Sequence, residues 1–477
     1  MWYNGSMSKF KSQMLMSFVK LGVFGVVFLA IIFATVLLSK QMRTDEETRS
    51  KLASLPKISI YLNGVTLDTV KAGTKDIKYP GNEVVLTDRE NELTFENVEL
   101  KGRGNSTWGW AKSPYQIKFK EKTDFLGMGK GKKWILLANY FDMSNLRNAA
   151  AFKLEAMLDQ YDALMGKFAE LYIDGDYQGV YFVTEKIDIG KDRIDLDDEL
   201  GVVVELENLH DGEECYYTKN ETCLVVKDAV NEDLEAEAIA DFVEDFGEME
   251  LAALNGDYET VKALIDVESL AKYYLLSEFT SNPDAWASSW YFYKNGLDDK
   301  IHVGPGWDFD YALSNKTWAW AEIEQFYEPT SEMLRLRTIG GEVYDEETGE
   351  VVEVFTTLRR VKLLYYLLDV PEFSELVRQT YMSHLFGRKE EMLAYLKIQA
   401  GKIRQSAILD IAKYDRDREL LWDSLGGEIY SELPALQINY KPELLFDTEV
   451  DYLLKWVRAR FDYLDFKYSL SYGIMVM

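Results

Sequence analysis

Asp308 and Asp310 stand two residues apart in Gly304-Pro-Gly-Trp-Asp-Phe-Asp-Tyr311, an aromatic stretch opened by two glycines. On an extended backbone both carboxylates leave one face, where a hard divalent cation takes oxygen ligands. A pair of solvated acids beside a packed tryptophan accounts for the same residues taken alone. A third acid, Asp284, lies in Ser281-Asn-Pro-Asp284, in the loop after a helix that Pro283 cannot continue. Far upstream, Lys101-Gly-Arg-Gly-Asn-Ser-Thr-Trp108 combines Gly102 and Gly104, which let backbone amides approach an anion, with donors at Arg103, Asn105, Ser106 and Thr107. It lacks the third glycine of a dinucleotide loop, so a plain hairpin fits it as well. The following stretch, Ser113-Pro-Tyr-Gln-Ile-Lys-Phe-Lys120, puts Tyr115, Ile117 and Phe119 on one strand face and Gln116, Lys118 and Lys120 on the other. Lys118 is therefore expected to point toward whatever lies beneath the glycine loop, with an exposed strand lysine as the plain alternative.

The elements that must hold these groups change character along the chain. Alternating apolar residues predict strands at Ile58 to Leu62, Glu83 to Leu86, Leu93 to Leu100, Tyr115 to Lys120 and Trp134 to Leu137. Ser144 is a suitable cap for a helix containing Arg147 and Glu155, and Asp174-Gly175 is expected to turn a hairpin whose second strand ends at Glu185. Acidic helices follow from about Asn231 to Phe279, which marks a lobe boundary. Trp290 to Lys294 reads as a strand, Asn295-Gly296 as its turn and Lys300 to Val303 as the return strand, an arrangement that brings Asp284 and Asp308 to one end. A segment from Ser314 to about Gly349, in which EETGE could turn a small hairpin, precedes a helical remainder.

Bulk properties narrow the partners. Hydrophobic residues make up 47% of 477 and aromatics 14%, so the chain buries a large core and is long enough for two lobes. A formal charge of −28 disfavours nucleic acid and favours cations or basic polypeptides. Leu21 to Leu38 carries no charge and is long enough to cross a bilayer, which predicts an uncleaved N-terminal anchor, with the body expected outside the cytoplasm and the orientation open. Cys215 and Cys223 flank two short strands, and a disulfide or two buried thiols both suit them. His210, His302 and His384 show no zinc-site clustering.

The ordered set GRGNSTW, PYQIKF, Asp142-x-Ser-x-x-Arg-Asn148, YQGVYFVTEKID, NPDAW followed by YFYK, and GPGWDFDYAL resembles the CotH kinase family of atypical protein kinases over roughly residues 57 to 315, plus the PEF helix near 371. The resemblance implies an α+β, bilobal, kinase-like fold, here with a tail and anchor at 1–40, a linker at 41–56, a β-rich lobe at 57–228 and a mainly helical lobe at 229–477. It implies transfer of the γ-phosphoryl of ATP to serine or threonine of basic, serine-rich proteins, with Mg2+, or alternatively Mn2+ or Ca2+. In kinase order, Arg103, Gly104, Asn105 and Ser106 would cover the phosphates, Lys118 would contact them and Glu155 would hold Lys118. The strand ending at Glu185 would meet adenine, Asp284 would be the base and Asp308 a metal ligand. Ser289 stands where ordinary kinases place a second metal-binding asparagine, and Asp310 is a substitute for it. The other readings are a pseudokinase scaffold that binds basic partners and, more distantly, a carbohydrate-active enzyme.

Overall fold

A computed structural model describes residues 55–89, 91–104, 106–207, 214–286, 288–315, 328–332, 340–344, 351–356, 366–414 and 441–470. The expected anchor at 21–38 lies outside these residues and gains no support from them. Among the described residues no helix is long and apolar enough to cross a membrane.

Period-two alternation builds the first half. Strands β1 (Lys57–Tyr61), β2 (Lys78–Asp88), β3 (Asn91–Gly102), β4 (Tyr115–Asp124), β5 (Lys130–Leu137), β6 (Gly166–Ile173) and β7 (Asp176–Glu185) close into a barrel in the order β1-β2-β3-β4-β5-β7-β6. Every pairing is antiparallel except β1 with β6. Ile58, Ile60, Tyr115, Ile117, Trp134, Leu136, Tyr181 and Val183 fill its interior, each apolar side chain stabilising the fold by roughly 1.5–3 kcal/mol relative to exposure. Closure leaves no open edge. The β6–β7 turn falls at Asp174-Gly175, both with positive φ, as the Asp-Gly pair dictates. A short helix, α1 (Leu67–Ala72), is capped by Thr66.

Helix α2 (Arg147–Met157) begins later than Ser144, and Leu146 precedes it without a side-chain cap. Asp142 takes the capping role instead. Its carboxylate accepts the amides of Ser144 and Arg147 as well as the Arg147 guanidinium.

A second, five-stranded antiparallel sheet contains β8 (Gly201–Glu207), β9 (Tyr216–Tyr217), β10 (Cys223–Ala229), β11 (Ser288–Asn295) and β12 (His302–Val303) in the order β12-β11-β8-β10-β9. It draws strands from both sides of residue 229. Cys215 and Cys223 are joined by a disulfide, with their Cα atoms 5.2 Å apart. Glu250 pins the hairpin between them by accepting from Thr218, Asn220 and Thr222.

Helices α3 (Glu235–Leu254), α4 (Tyr258–Leu264) and α5 (Val267–Thr280) follow β10, and α6 (Pro371–His384), α7 (Lys389–Tyr414) and α8 (Pro442–Ser469) complete the helical part. Between them, β13 (Gly340–Tyr344) and β14 (Val351–Thr356) pair on either side of EETGE. One apolar core joins these helices to α2 and the second sheet. The barrel is fastened to α7 by a fully buried ion pair, Lys112 Nζ to Asp410 at 2.5 Å, and Asp410 also accepts the amide of Val180. Gly179, at φ 106°, lies so close that a Cβ would meet the Asp410 carboxylate at 2.9 Å.

Candidate active site

Barrel and second sheet meet at a cleft of about 670 Å³. The Gly102–Gly104 loop, Gln116 of β4, Leu137 at the end of β5 and Lys186 after β7 line it from the barrel. Glu205 and Glu207 of β8, Asp284, Ser289, Asp308 and Asp310 line it from the other side. Asp284 and Asp308 thus reach one space, as the β11–β12 hairpin requires.

The acidic side is held by mostly part-buried hydrogen bonds. Asn282 donates to the Asp308 carbonyl at 2.8 Å, and its own side-chain oxygen receives the Asp284 amide at 3.3 Å. Ser289 Oγ donates to Asp308 Oδ2 at 3.4 Å, with both residues in left-handed backbone (φ 61° and 62°). Asn148 donates to Asp310 Oδ1 at 2.6 Å and to Asn139 Oδ1 at 3.1 Å, while Asn315 donates to the Asp310 carbonyl. Desolvation, with Asp284, Asp310 and Glu205 nearby, pushes the Asp308 carboxyl well above the usual range, and Arg103 opposes this. Desolvation likewise raises Asp310 to about 6, against the pull of the Asn148 hydrogen bond.

The opposite side carries cations. Arg103 stacks over the Trp307 ring, its guanidinium carbon 4.9 Å from the ring centre. Its amide donates to the Pro114 carbonyl. Gly104 has φ 80°, and a Cβ there would lie 2.0 Å from Thr107 Oγ1, so the loop accepts only glycine without rearrangement. Lys101 and Lys186 also line the cleft, and Lys227 is paired with Glu205 at 2.6 Å.

Three of the expected site residues, Lys118, Glu155 and Glu185, are not among those that line the cleft. Lys118 shares a strand face with Gln116, but only Gln116 reaches the cleft, because Lys118 sits farther along β4 opposite Lys133. Glu155 does not hold Lys118. It is buried, and its Oε1 accepts the amide of Gly306 at 2.6 Å, two residues before Asp308. Helix α2 is covered on nearly every side, so Glu155 meets the backbone of the loop that carries Asp308. Glu185 turns away from the cleft to Arg193 at 2.5 Å and to the Met165 amide at 2.9 Å, leaving its neighbours Lys186 and Ile187 as the lining residues. Arg103, Gly104, Asp284, Ser289, Asp308 and Asp310 all line the cleft. Asn105 and the Ser106 side chain lie outside the described residues. Sequence reading missed Gln116, Lys186, Glu205 and Glu207. Alternation on β4 already put Gln116 with Lys118, while Glu205 and Glu207 share a face of β8 in GVVVELE, a signal that could have marked them.

Asp308, Asp310 and Ser289 bring to the cleft oxygen donors of the kind a hard divalent cation takes. Among the described residues no group of three or more His, Cys, Asp or Glu side chains is placed to hold a metal ion. Comparison with curated proteins finds no match. A family model described as CotH kinase protein matches residues 100–464, most of the chain and all of the cleft elements from the glycine loop onward. The chain belongs to the CotH kinase family.

Proposed function

We propose that the cleft transfers the γ-phosphoryl group of ATP to a serine or threonine hydroxyl of a basic protein. The observation that carries this reading is the grouping of charge in one cavity, with Lys75, Lys101, Arg103 and Lys186 beside one acid, Asp76, on the barrel side, and Asp284, Asp308, Asp310, Glu205 and Glu207 across from them beside Lys227, which Glu205 pairs. A magnesium or manganese complex of a nucleoside triphosphate presents both complements, anionic oxygens and a cation. Leu137, Ile187 and Val226 add an apolar surface suited to a base.

In this reading Asp284 accepts the proton of the attacking hydroxyl. The hydroxyl oxygen bonds to the γ-phosphorus as the bond to the β–γ bridging oxygen breaks, and ADP leaves. Asp308, supported by Asp310 and Ser289, would hold the metal, which when bound offsets charge on the phosphate oxygens. Arg103 and the amides beside Gly104 would grip the phosphates. The barrel side and the helical side serve as the two lobes. The net charge of −28 supports a basic acceptor, and the Cys215–Cys223 disulfide supports a body on the oxidising side of a membrane anchored through residues 21–38.

One observation favours the scaffold reading: the expected Lys118–Glu155 pair is not formed, since Glu155 accepts from the Gly306 amide. The two readings separate in one assay of radiolabelled phosphate incorporation into the chain itself and into a basic serine-rich peptide, with ATP and magnesium or manganese. The kinase reading expects wild type to label and Asp284→Asn to lose about 10²–10⁴-fold of the rate with its melting curve unchanged. Wild type that labels nothing while keeping its basic partners, equally well in an Asp284→Asn, Asp308→Asn variant, would replace the kinase with the scaffold.

A further inference from the structure

We infer that Lys186, rather than Lys118, is the side chain that neutralises the phosphates of the nucleotide, an assignment that rests on the kinase reading above. Lys186 directly follows the last residue of β7, lines the cleft and is half-buried. Its ammonium makes a single hydrogen bond, to the Ile187 carbonyl at 3.2 Å, and among the described residues no carboxylate lies within ion-pairing distance. Two of its three donor positions are therefore unspent. Partial desolvation of a cation without an anion is unfavourable, and a ligand anion would relieve it.

The other cleft cations are differently committed. Lys227 is taken by Glu205, Arg103 lies on the Trp307 ring, Lys101 has Asp76 and Glu99 in its field, and Lys75 is also engaged by another group. Lys118 and Lys133 do not line the cleft, and Lys133 leans toward Asp188 at 3.8 Å. The groups acting on Lys186 are Lys133 and Arg103, which oppose its charge, and Asp188 and Asp228, which favour it. Desolvation outweighs them and lowers it to about 8. Its protonated fraction falls as pH rises through that value, so phosphate affinity should fall over the same interval.

Calorimetric titration of the full-length chain in detergent with magnesium-ATP, tripolyphosphate and adenosine tests the assignment on wild type, Lys186→Met, Lys186→Arg and Lys118→Met. Lys186→Met should weaken ATP and tripolyphosphate about 10-fold or more and leave adenosine unchanged, as expected for loss of one charge-assisted contact. Lys186→Arg should keep the affinity and remove its decline between pH 7 and pH 9, approximately the interval around a lysine lowered to about 8. Lys118→Met should match wild type. ATP affinity unchanged in Lys186→Met, a loss appearing in Lys118→Met instead, or an equal loss of adenosine in Lys186→Met each overturns the assignment while the kinase reading stands. Wild type that binds neither ATP nor tripolyphosphate overturns both.

Discussion

The two sides of the cleft are built by opposite rules. On the acidic side, Asn282, Glu155, Asn148 and Asn315 fix the backbone or side chains of residues 306–310 through buried or part-buried hydrogen bonds, so the carboxylates are set before any ligand arrives. On the cationic side the backbone is also fixed, by the Arg103 amide on Pro114, by Trp108 Nε1 on the Gly73 carbonyl and by the buried Lys112–Asp410 pair. There, however, the Arg103 guanidinium rests on an aromatic face, and among the described residues the Lys186 ammonium hydrogen-bonds to a neighbouring carbonyl. On the proposed reading, the difference teaches where preorganisation was placed: in the acids that would align a metal and a hydroxyl, with the heads that would face phosphate left open to the ligand.

Breaking the acidic side should cost most. Glu155→Ala leaves the Gly306 amide without its acceptor, a loss of about 1–3 kcal/mol, and should lower the phosphorylation rate roughly 10- to 100-fold. Glu155→Gln keeps a carbonyl acceptor and imitates the neutral acid that burial favours, so it should retain most of the activity. Equal losses in both variants would show that the Gly306 contact is not the cause. Asn148→Ala releases Asp310 and should cost about 1 kcal/mol in melting experiments, together with a weaker dependence of activity on magnesium. A milder break on the cationic side is Trp307→Ala, which removes a contact of about 0.5–1 kcal/mol and should raise KM for ATP a few-fold with little change in kcat. A large fall in kcat would mean that Trp307 shapes the acidic side as well.

The smallest effect sharpens how the acidic side is held. Asp162 is buried, and desolvation raises its carboxyl to about 7 from an ordinary 3.8. The folded state therefore binds more protons than the unfolded one between those values. That contribution is full below the unfolded value and is lost as pH rises through the folded one. Asp162→Asn should melt a few degrees above wild type at pH 8, with the gap closing on acidification. A gap that does not vary with pH would contradict the assignment.

Much of this architecture was legible in the sequence, for identifiable reasons. Alternation gave the barrel strands and Asp174-Gly175 gave a turn that needs positive φ, while the β11–β12 hairpin, expected from its Asn295-Gly296 turn, puts Asp284 and Asp308 in one place. What escaped depends on contacts distant in the chain. Alternation shows which face Lys118 occupies but not how far along β4 the cleft extends, because that is set by pairing with β3 and β5. Spacing along α2 cannot show that Glu155 meets Gly306, 151 residues later, since the helix is buried between separate elements. Glu205 and Glu207 became site residues only when β8 paired with β11 from beyond the acidic helices.

The central claim is that fixed acids and open cations together bind a metal–nucleotide complex. Calorimetric titration of ATP with and without magnesium, on wild type and Asp308→Asn, tests it most directly. The account predicts that magnesium strengthens ATP binding in wild type and has little effect in Asp308→Asn, with both proteins equally folded. Magnesium enhancement of the same size in both, or no ATP binding by wild type under either condition, would contradict it.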